Sequence, residues 1–317
     1  MTSDATPSVD VVIVNWNTRD YLATCLRSIV DARRTAYELE RVVVVDNAST
    51  DDSLASAEEL PLPLTLIRND ENRGFAAACN QGAREGSADL ILFLNPDTRP
   101  APDAIDRTVA FMAEAGSADV GICGARMVGA EGEPGLSTSR FPTLWMLVTM
   151  MTGASRAFPG RFPPQRVAPV ESGASGIVDQ VIGAFFLVSR PLFEALDGFD
   201  ERFFVYMEEV DLAYRARQLG FSSYHLATAS VYHAERVSSD QVRGRRLAYL
   251  LESRTAYARK HWPAWQALVL ALLVVVVELP VRAVRAAARD GRAEALDVLA
   301  AARSYLRYLV AGTSSRG

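Results

Sequence analysis

Short apolar runs recur between residues 9 and 123, and each is bounded by residues that favour turns. The runs are Val9–Val14, Val42–Val45, Leu64–Ile67, Leu90–Leu94 and Val120–Cys123. Runs of this length predict buried strands, and helical stretches in the first, third and fourth gaps indicate a mostly parallel sheet flanked by helices. The first of these helices is predicted over Asp20–Ala32, with Asp20 as its N-cap. The chain is therefore predicted to be an α/β protein, and its 317 residues suffice for one large domain of this class.

The remaining sequence divides by composition. Gly, Pro and Ser are frequent from Gly129 to Ser175, around the apolar island Phe141–Met151, and predict a variable insertion. Regular structure is predicted to resume with a strand, a helix and a second strand, at Val181–Ser189, Glu209–Leu219 and Ser223–Tyr232. We expect three regions, at residues 1–115, 116–240 and 241–317.

The C-terminal region is rich in arginine and then strongly apolar. Ala267–Val277 contains no charged residue, and the chain then continues through Pro280 to a series of arginines: Arg282, Arg285, Arg289 and Arg292. The apolar run is shorter than the roughly 20 residues of a spanning helix, and Pro280 is expected to interrupt any extension. A helix on a membrane surface and a helix packed on other helices both remain open, and membrane-surface contact is favoured.

Several function classes are disfavoured by the sequence. A net charge of -5 and a pI near 5.4 argue against a general nucleic-acid-binding protein. The three cysteines Cys25, Cys79 and Cys123 are widely spaced, so we expect buried thiols in a reducing compartment. The N-terminus lacks the pattern of a signal peptide, which predicts a cytosolic catalytic domain. Neither a Walker A loop nor a GxGxxG fingerprint occurs, so NTP hydrolysis and hydride transfer have no motif support.

Polar residues stand at the ends of three predicted strands, where open parallel sheets bind ligands. They are Asn15, Asp46 and the segment Asn95-Pro96-Asp97. Asp97 follows a buried run and is a candidate ligand for a divalent cation. The same four residues Asn95–Thr98 also suit a type I turn, and the two interpretations are compatible.

Three further segments carry candidate site residues. The stretch Asn72–Gly82 opens with a glycine turn and continues in small residues, which allows close approach of an anionic ligand. Glu208, Glu209 and Asp211 begin a predicted helix, where the helix dipole also favours acidic residues. Successive helical positions point about 100° apart, so only one of the two glutamates faces the site as a general base. His233, which follows a predicted strand, is either a structural histidine or a metal ligand.

Taken in order, these segments resemble the family 2 glycosyltransferases with the GT-A fold, particularly the bacterial rhamnosyltransferase-like members. The matching stretches are residues 11–17 (VVIVNWN), 44–51 (VVDNASTD), 72–75 (NRGF) with Asn80, 93–97 (FLNPD), 183–185 (GAF) and 198–212 (GFDERFFVYMEEVDL). Together they cover about residues 9–235.

The resemblance implies a role for each candidate residue. Asp46 would bind the nucleobase, and Asp97, with His233, would hold Mg²⁺ or Mn²⁺ on the diphosphate. Glu209 would be the catalytic base, with Glu208 as the other member of the acidic pair. The nucleotide-sugar pocket would be lined by Asn15, Asn17, Asn72, Arg73, Gly74, Asn80 and Asn95, and the acceptor side by Gly183, Ala184 and Asp211. Two departures stand out: the metal motif contains one carboxylate, and the acidic pair is Glu-Glu.

The expected activity is therefore inverting, metal-dependent sugar transfer to a lipid-linked or polysaccharide acceptor in bacterial cell-wall or cell-surface glycan synthesis. The favoured donor is dTDP-L-rhamnose, with UDP-galactofuranose, UDP-hexoses and GDP-mannose as alternatives. A peripheral place at the cytoplasmic face of the membrane is expected, and a homo-oligomer is among the expected partners. The rival hypotheses are a nucleotidyltransferase, which needs a Gly-rich loop that Val9–Asp20 lacks, and a non-catalytic nucleotide-sugar-binding scaffold. A processive synthase is disfavoured because no Gln-x-x-Arg-Trp segment occurs.

Overall fold

A computed structural model describes residues 6–55, 57, 59–114, 119–167, 174–234 and 243–311. The chain forms two compact units. The first comprises Met1–Arg140, Arg166–Asp200 and Glu209–Val237, and the second comprises Phe141–Gln165, Glu201–Glu208 and Ser238–Gly317. The region boundaries expected at residues 115 and 240 lie outside the described residues, so that division stays a prediction.

The strands of the described chain lie in the first unit. They are β1 (Ser8–Asn15), β2 (Glu38–Asp46), β3 (Leu64–Arg68), β4 (Leu90–Leu94), β5 (Thr98–Pro100), β6 (Val120–Val128), β7 (Thr138–Ser139), β8 (Gly176–Val178), β9 (Gln180–Val181), β10 (Phe185–Ser189) and β11 (Ser222–His233). Nine of them form one sheet in the order β3-β2-β1-β4-β10-β6-β11-β5, with β8 paired to β11. Strands β7 and β9 form a separate two-stranded sheet.

The large sheet is parallel in its first part and mixed beyond it. Strands β3, β2, β1 and β4 are parallel, as are β6 and β11. Strand β10 lies between β4 and β6 and is antiparallel to both. The predicted α/β class with a mostly parallel sheet is confirmed. The antiparallel insertion of β10 was not predicted, because an apolar run gives a strand but not its direction.

Helices flank this sheet and build the second unit. They are α1 (Asp20–Val30), α2 (Phe75–Ala83), α3 (Ala104–Ala113), α4 (Leu144–Met151), α5 (Ala154–Ala157), α6 (Arg190–Ala195), α7 (Glu208–Gln218), α8 (Arg243–His261), α9 (Ala264–Leu273), α10 (Leu279–Arg285) and α11 (Arg292–Ala311). The core of the first unit forms where Leu22, Leu26 and Ile29 of α1 pack with the valines of β1 and β2. These three residues recur at helical spacing, which is why α1 buries one face.

The N-terminus of α1 differs from its prediction. Asp20 is the first helical residue and not the cap. The cap position is Arg19, whose φ of 50° lies in the left-handed region. Its backbone N–H donates to Asp51 Oδ2 at 2.9 Å, so a carboxylate from another loop satisfies this group.

The second unit has its own apolar core, in which helices α4, α8, α9, α10 and α11 share a cluster of buried side chains. Its most buried members are Leu147, Leu251, Ala258, Leu270, Val274 and Tyr305. The apolar island Phe141–Met151 supplies α4, which begins after Thr143, whose hydroxyl accepts the N–H of Met146. The island is thus a packed helix.

Pro280 does not interrupt the C-terminal apolar helix, which corrects the sequence prediction. The helix continues from Ala264 to Ala288, and it contains a π-helical turn at Val274–Glu278. A proline normally clashes with the carbonyl four residues earlier, and the widened turn before Pro280 provides the room that its ring needs. Judged by length and composition alone, this described helix could cross a membrane.

A buried ion pair joins β1 to the start of α6, at the far end of the sheet from the carboxyl ends of β1 and β4. Asp10, which is 1% exposed, contacts Arg190 Nη2 through Oδ2 at 2.6 Å. The same oxygen accepts the backbone N–H of Ala88, and the Arg190 guanidinium also donates to the carbonyls of Ala83 and Ala88. The pair thereby fixes the loop that leads into β4 against the end of β10.

We predict that Arg190→Met destabilises the fold by about 3–5 kcal/mol, because it leaves the Asp10 carboxylate buried without its cation. Urea unfolding followed by circular dichroism measures the loss. The matched control is Arg107→Met, which removes an exposed pair with Asp103 and should cost less than about 1 kcal/mol. Equal losses in the two variants would contradict the assigned role, and adding Asp10→Asn to Arg190→Met should recover part of the stability.

Candidate active site

The carboxyl ends of β1 and β2 are joined by a buried hydrogen-bond network. Asn15 is 0% exposed, and its Nδ2 donates to Asp46 Oδ1 at 2.8 Å and to Ser53 Oγ at 2.8 Å. The second Asp46 oxygen, Oδ2, accepts the backbone N–H of Ser49 at 3.1 Å. Asn15 therefore orients the Asp46 carboxylate from the interior of the protein. Asp46, at 6% exposed, lies nearer the surface than Asn15.

The loops after these strands adopt unusual backbone conformations. Asn17 and Ala48 have φ angles of 51° and 65°, in the left-handed region that side chains other than glycine rarely adopt. Asn17 Oδ1 accepts the backbone N–H of Thr50 at 2.7 Å, which ties the two loops together. Burial of Asp51 opposes its ionisation, but hydrogen bonds from Ser53 and the Arg19 backbone outweigh this and lower the pKa of Asp51.

Asn47 organises the segment that was predicted to approach an anionic ligand, and the sequence analysis missed it. This side chain is 2% exposed, and its Nδ2 donates to Asn72 Oδ1 at 2.9 Å. Its Oδ1 accepts the backbone N–H of Arg73 at 3.1 Å. Gly74, with φ 87°, forms the turn into α2, and its carbonyl accepts Asn47 Nδ2. The sequence signals for Asn47 are its place directly after Asp46 at a strand end and its position within the matching stretch 44–51.

Asn80 on α2 holds a loop from the second half of the chain. Its amide forms two hydrogen bonds to the backbone of Phe199, donating from Nδ2 to the carbonyl at 2.8 Å and accepting the N–H at 2.9 Å. The neighbouring Gly198 has φ 70°, and a Cβ there would lie 2.6 Å from Asn80 Oδ1. Asn80 thus positions the Gly198–Phe199 loop.

Asp211 holds the same loop from the opposite side. It is 0% exposed, and its Oδ2 accepts Arg215 Nε at 2.7 Å. The Arg215 guanidinium donates in turn to the carbonyls of Leu196 and Gly198. The contacts seen for Asp211 are those of a buried ion pair within α7.

The turn after β4 carries Asp97. The Thr98 N–H donates to the Asn95 carbonyl at 3.2 Å, which confirms the predicted turn. The Cys25 thiol lies below it, with Sγ 3.6 Å from the same carbonyl. Burial raises the pKa of Cys25 to about 12, so the group remains a neutral thiol at physiological pH. Cys25, Cys79 and Cys123 are buried and form no disulfide within the described residues, as predicted.

Asp97 and His233 lie side by side, because β5 pairs with β11 and aligns Thr98 with His233. His233 Nε2 lies 3.4 Å from Asp97 Oδ1, and their side chains are 13% and 10% exposed. Adjacent ligands of an octahedral Mg²⁺ site are about 3 Å apart, so this pair fits two neighbouring ligand positions. No group of three His, Cys, Asp or Glu side chains suited to a metal occurs among the described residues. Any cation held here would need ligands from water or from a bound molecule.

Glu209 lies at the same edge of the sheet. A methyl group added at Gly183 would lie 3.8 Å from Cβ and Cγ of Glu209, so the glycine leaves room for this side chain. The adjacent Ala184 carbonyl accepts the Asn95 N–H at 3.0 Å, which links the Gly183–Ala184 segment to the turn that carries Asp97. Glu209 is half-buried, whereas Glu208 is 5% exposed.

The residues before the acidic pair have a strained backbone. Tyr206 and Met207 have φ angles of 68° and 72°, each of which costs about 1–3 kcal/mol for a non-glycine residue. Within the second unit, Ser253 of α8 donates from Oγ to the Val205 carbonyl at 2.8 Å. Strain of this kind occurs often where side chains are held for function.

The structure thus brings the predicted residues together in two groups. One group surrounds the ends of β1 and β2 and the turn into α2: Asn15, Asn17, Asp46, Asn72, Arg73 and Gly74. The other surrounds the end of β4 and the start of β10: Asn95, Asp97, His233, Gly183, Ala184 and Glu209. Asn80 and Asp211 support the loop at Gly198. The ligands of all these residues stay predictions.

Sequence comparison gives two kinds of match. The model of Glycosyl transferase family 2 matches residues 10–161. The N-acetylglucosaminyl-diphospho-decaprenol L-rhamnosyltransferase of Mycobacterium tuberculosis is 27% identical over 83% of this chain and 88% of its own length. The O-antigen biosynthesis protein RfbC of Myxococcus xanthus is 27% identical over 74% of this chain and 18% of its own length.

Solved structures share the fold at lower identity. GalNAc-T7 with UDP, GalNAc and Mn²⁺ has a TM-score of 0.59 at 15% identity, covering 79% of this chain and 48% of that one. The mannosyltransferase PcManGT from Pyrobaculum calidifontis, in complex with GDP-Man and Mn²⁺, has a TM-score of 0.55 at 20% identity. It covers 96% of this chain and 88% of that one. These likenesses establish the GT-A fold.

We predict that Asn47→Ala loosens the turn at Asn72–Gly74, since it removes the acceptor for the Arg73 N–H. Amide hydrogen exchange of residues 72–75 should become faster by on the order of tenfold, which corresponds to about 1.4 kcal/mol. Mass spectrometry of the exchanged peptides measures the change. The control is Glu71→Ala, an exposed position of the same loop, which should leave the exchange unchanged. Similar exchange in both variants would contradict the role given to Asn47.

Proposed function

We propose that this chain is a rhamnosyltransferase-like glycosyltransferase of family 2, whose model matches residues 10–161. It transfers one sugar from a nucleotide-diphosphate donor with inversion at the anomeric carbon. The observation that carries this proposal is the arrangement at the end of β4. There Glu209, packed on Gly183, lies at the sheet edge that also presents Asp97 and His233. A base and a pair of side chains able to hold a cation, at one edge, are what a displacement of a diphosphate requires.

We assign donor binding to the first group of residues. Asp46 would accept a hydrogen bond from the nucleobase, because Asn15 and Ser49 hold its carboxylate in place. The turn at Asn72–Gly74 would receive the sugar diphosphate, since Asn47 fixes its backbone before α2 begins. Arg73, which is exposed, offers a cation for the same anionic ligand.

We propose that Glu209 acts as the general base. Its carboxylate accepts the proton of the acceptor hydroxyl while that oxygen bonds to the anomeric carbon, and the bond from that carbon to the diphosphate oxygen breaks. The nucleoside diphosphate leaves with the bonding electrons. Attack from the opposite face inverts the configuration. Glu208 would contribute by ordering the start of α7, because its side chain is more buried than that of Glu209.

We propose that Asp97 and His233 hold the divalent cation, either Mg²⁺ or Mn²⁺. The support is the 3.4 Å separation of Asp97 Oδ1 and His233 Nε2, together with His233 Nδ1, which is buried and accepts or donates no hydrogen bond within the described residues. The carboxylate suits both cations, and the imidazole suits Mn²⁺ better than the harder Mg²⁺. When bound, the metal supplies positive charge against the leaving diphosphate.

We propose dTDP-L-rhamnose as the donor and a lipid-linked glycan as the acceptor, in bacterial cell-surface glycan synthesis at the cytoplasmic face of the membrane. The mycobacterial relative supports both choices, since its name specifies an L-rhamnosyltransferase and an N-acetylglucosaminyl-diphospho-decaprenol. Galactofuranosyl, hexosyl and mannosyl donors are the alternatives. The presence of Glu209 beside Gly183 argues against a non-catalytic scaffold.

We predict that Glu209→Gln lowers turnover by at least about 100-fold, because the amide cannot accept the hydroxyl proton. The assay measures nucleoside diphosphate released from a panel of nucleotide sugars, with membrane lipid extract as acceptor. Donor affinity, measured by calorimetry, should change little. Glu194→Gln, at a side chain that is 65% exposed on α6, is the matched control and should retain activity. Full turnover by Glu209→Gln would refute the base, and donor binding without turnover in the unaltered protein would favour the scaffold.

We predict that Asp97→Asn and His233→Ala each raise the Mn²⁺ concentration needed for half-maximal activity, by on the order of 10- to 100-fold, because each removes one ligand. Titration of activity with Mn²⁺ and with Mg²⁺ measures the shift. The control is Arg99→Ala, an exposed position one residue beyond Thr98. Activity that persists in EDTA would contradict metal dependence altogether.

A further inference from the structure

The apolar helix Ala264–Ala288 exposes apolar side chains along its whole length. Positions spaced three or four residues apart lie on its outer face and contain no charge: Trp265, Leu268, Leu272, Val276, Pro280 and Val284. Leu268 is 72% exposed and Val284 is 70% exposed. The outer face of a helix in a water-soluble protein is normally polar. We call these six positions the outer stripe.

Helix α11 adds a second surface of a different character. Its exposed large side chains are apolar or basic, among them Leu296, Leu299, Arg303, Leu306, Arg307 and Val310. The two acidic residues of this helix, Glu294 and Asp297, are half-buried in its N-terminal part. The exposed face therefore combines apolar contact with positive charge.

The geometry points to a membrane-docking face: we propose that the outer stripe and the exposed face of α11 rest in the plane of a bilayer that contains anionic phospholipid. The apolar side chains would enter the boundary between headgroups and acyl chains, and Arg303 and Arg307 would bind lipid phosphates. A helix that joins large apolar side chains to arginine has the composition of interfacial helices. The inference rests on the membrane location in the proposed function and deepens it, by naming the surface that docks and the lipid charge that it takes.

A buried ion-pair network favours docking in the plane over a spanning helix. Glu278, which is 4% exposed, lies on the inner face of the apolar helix. Its Oε1 accepts Arg254 of α8 at 3.2 Å and Arg282 at 2.8 Å. A spanning helix would have to leave α8, and it would then carry Glu278 into the bilayer without Arg254. The inner side chains Leu270, Val274 and Leu279 would also lose their packing in the second unit.

The first test is sedimentation of the full-length protein with vesicles of phosphatidylcholine alone or with added phosphatidylglycerol. We expect binding to the anionic vesicles and at least tenfold weaker binding to the neutral ones. The double variant Leu268→Glu, Val284→Glu, which we call the stripe variant, should lose binding to both kinds of vesicle. The double variant Arg303→Glu, Arg307→Glu should lose the preference for phosphatidylglycerol.

A matched control separates the face from general surface hydrophobicity. Ile177 on β8 is 72% exposed, the same fraction as Leu268, but lies in the first unit. Ile177→Glu should bind vesicles as the unaltered protein does. Equal loss in Ile177→Glu and in the stripe variant would overturn the proposal. A second outcome would also overturn the proposal. In it, the unaltered protein binds no vesicles but self-associates, as seen by ultracentrifugation, and the stripe variant abolishes that self-association.

The second test measures depth in the bilayer. Leu268→Cys and Val284→Cys place single labels on the outer stripe, since the native Cys25, Cys79 and Cys123 are buried. The two positions are 16 residues apart, or about 24 Å along a helix. Docking in the plane predicts the same depth for both nitroxide labels, at the headgroup boundary. Depths that differ by most of that length would show a spanning helix and overturn the in-plane arrangement.

Vesicle binding and sugar transfer are read out separately, so their failures are distinguishable. Glu209→Gln should bind anionic vesicles like the unaltered protein while losing turnover. The stripe variant should retain turnover on a water-soluble acceptor analogue. If the stripe variant lost both turnover on that analogue and vesicle binding, it would have unfolded. Its circular dichroism spectrum must therefore match that of the unaltered protein before the loss of vesicle binding supports the proposal.

Discussion

The site depends on the antiparallel pairing of β10 with β4. Because the two strands run in opposite directions, the start of β10 lies beside the end of β4, and Phe185 is opposite Leu94. The Gly183–Ala184 segment is therefore held next to the Asn95–Asp97 turn, by a hydrogen bond from Asn95 to Ala184. A parallel β10 would have placed Gly183 at the opposite end of the sheet. One strand direction thus decides whether Glu209, which packs on Gly183, can share an edge with Asp97.

Most of the asparagines at this edge build the site by positioning other groups. Asn15, Asn47 and Asn80 are each at most 5% exposed, and their amides bond to Asp46, to the Asn72–Gly74 turn and to Phe199. An amide carries both donors and an acceptor, so a single buried asparagine can hold two loops at once without an uncompensated charge. The exposed positions nearby, such as Arg73, are then free to meet a ligand.

The sequence was sufficient to locate the longer strands and most of the helices, because buried strands and amphipathic helices each leave a periodic apolar pattern. The short strands β5, β7 and β8 were not predicted, since two or three residues carry no such pattern. It was insufficient for strand order, since the pairing of β10 between β4 and β6 depends on contacts between distant segments. The positions of Asp97 and Glu209 followed from motifs, whereas Asn47 was missed because a buried amide has no pattern of its own. Pro280 was misjudged for a similar reason: the π turn that accommodates it is a backbone adjustment that local propensity does not describe.

Contacts within the second unit explain how the strained backbone before Glu209 is held. Left-handed conformations at Tyr206 and Met207 persist only if neighbouring contacts hold the loop. Helix α8 supplies two such contacts. The Ser253 hydroxyl donates a hydrogen bond to the Val205 carbonyl, and the ring of Tyr249 packs on that of Phe204 with 4.8 Å between their centroids. The next residue of α8 after Ser253 is Arg254, which pairs with Glu278 of the apolar helix. The same short stretch of α8 therefore fixes both the loop that precedes the acidic pair and the inner face of the apolar helix, so neither can move without disturbing α8.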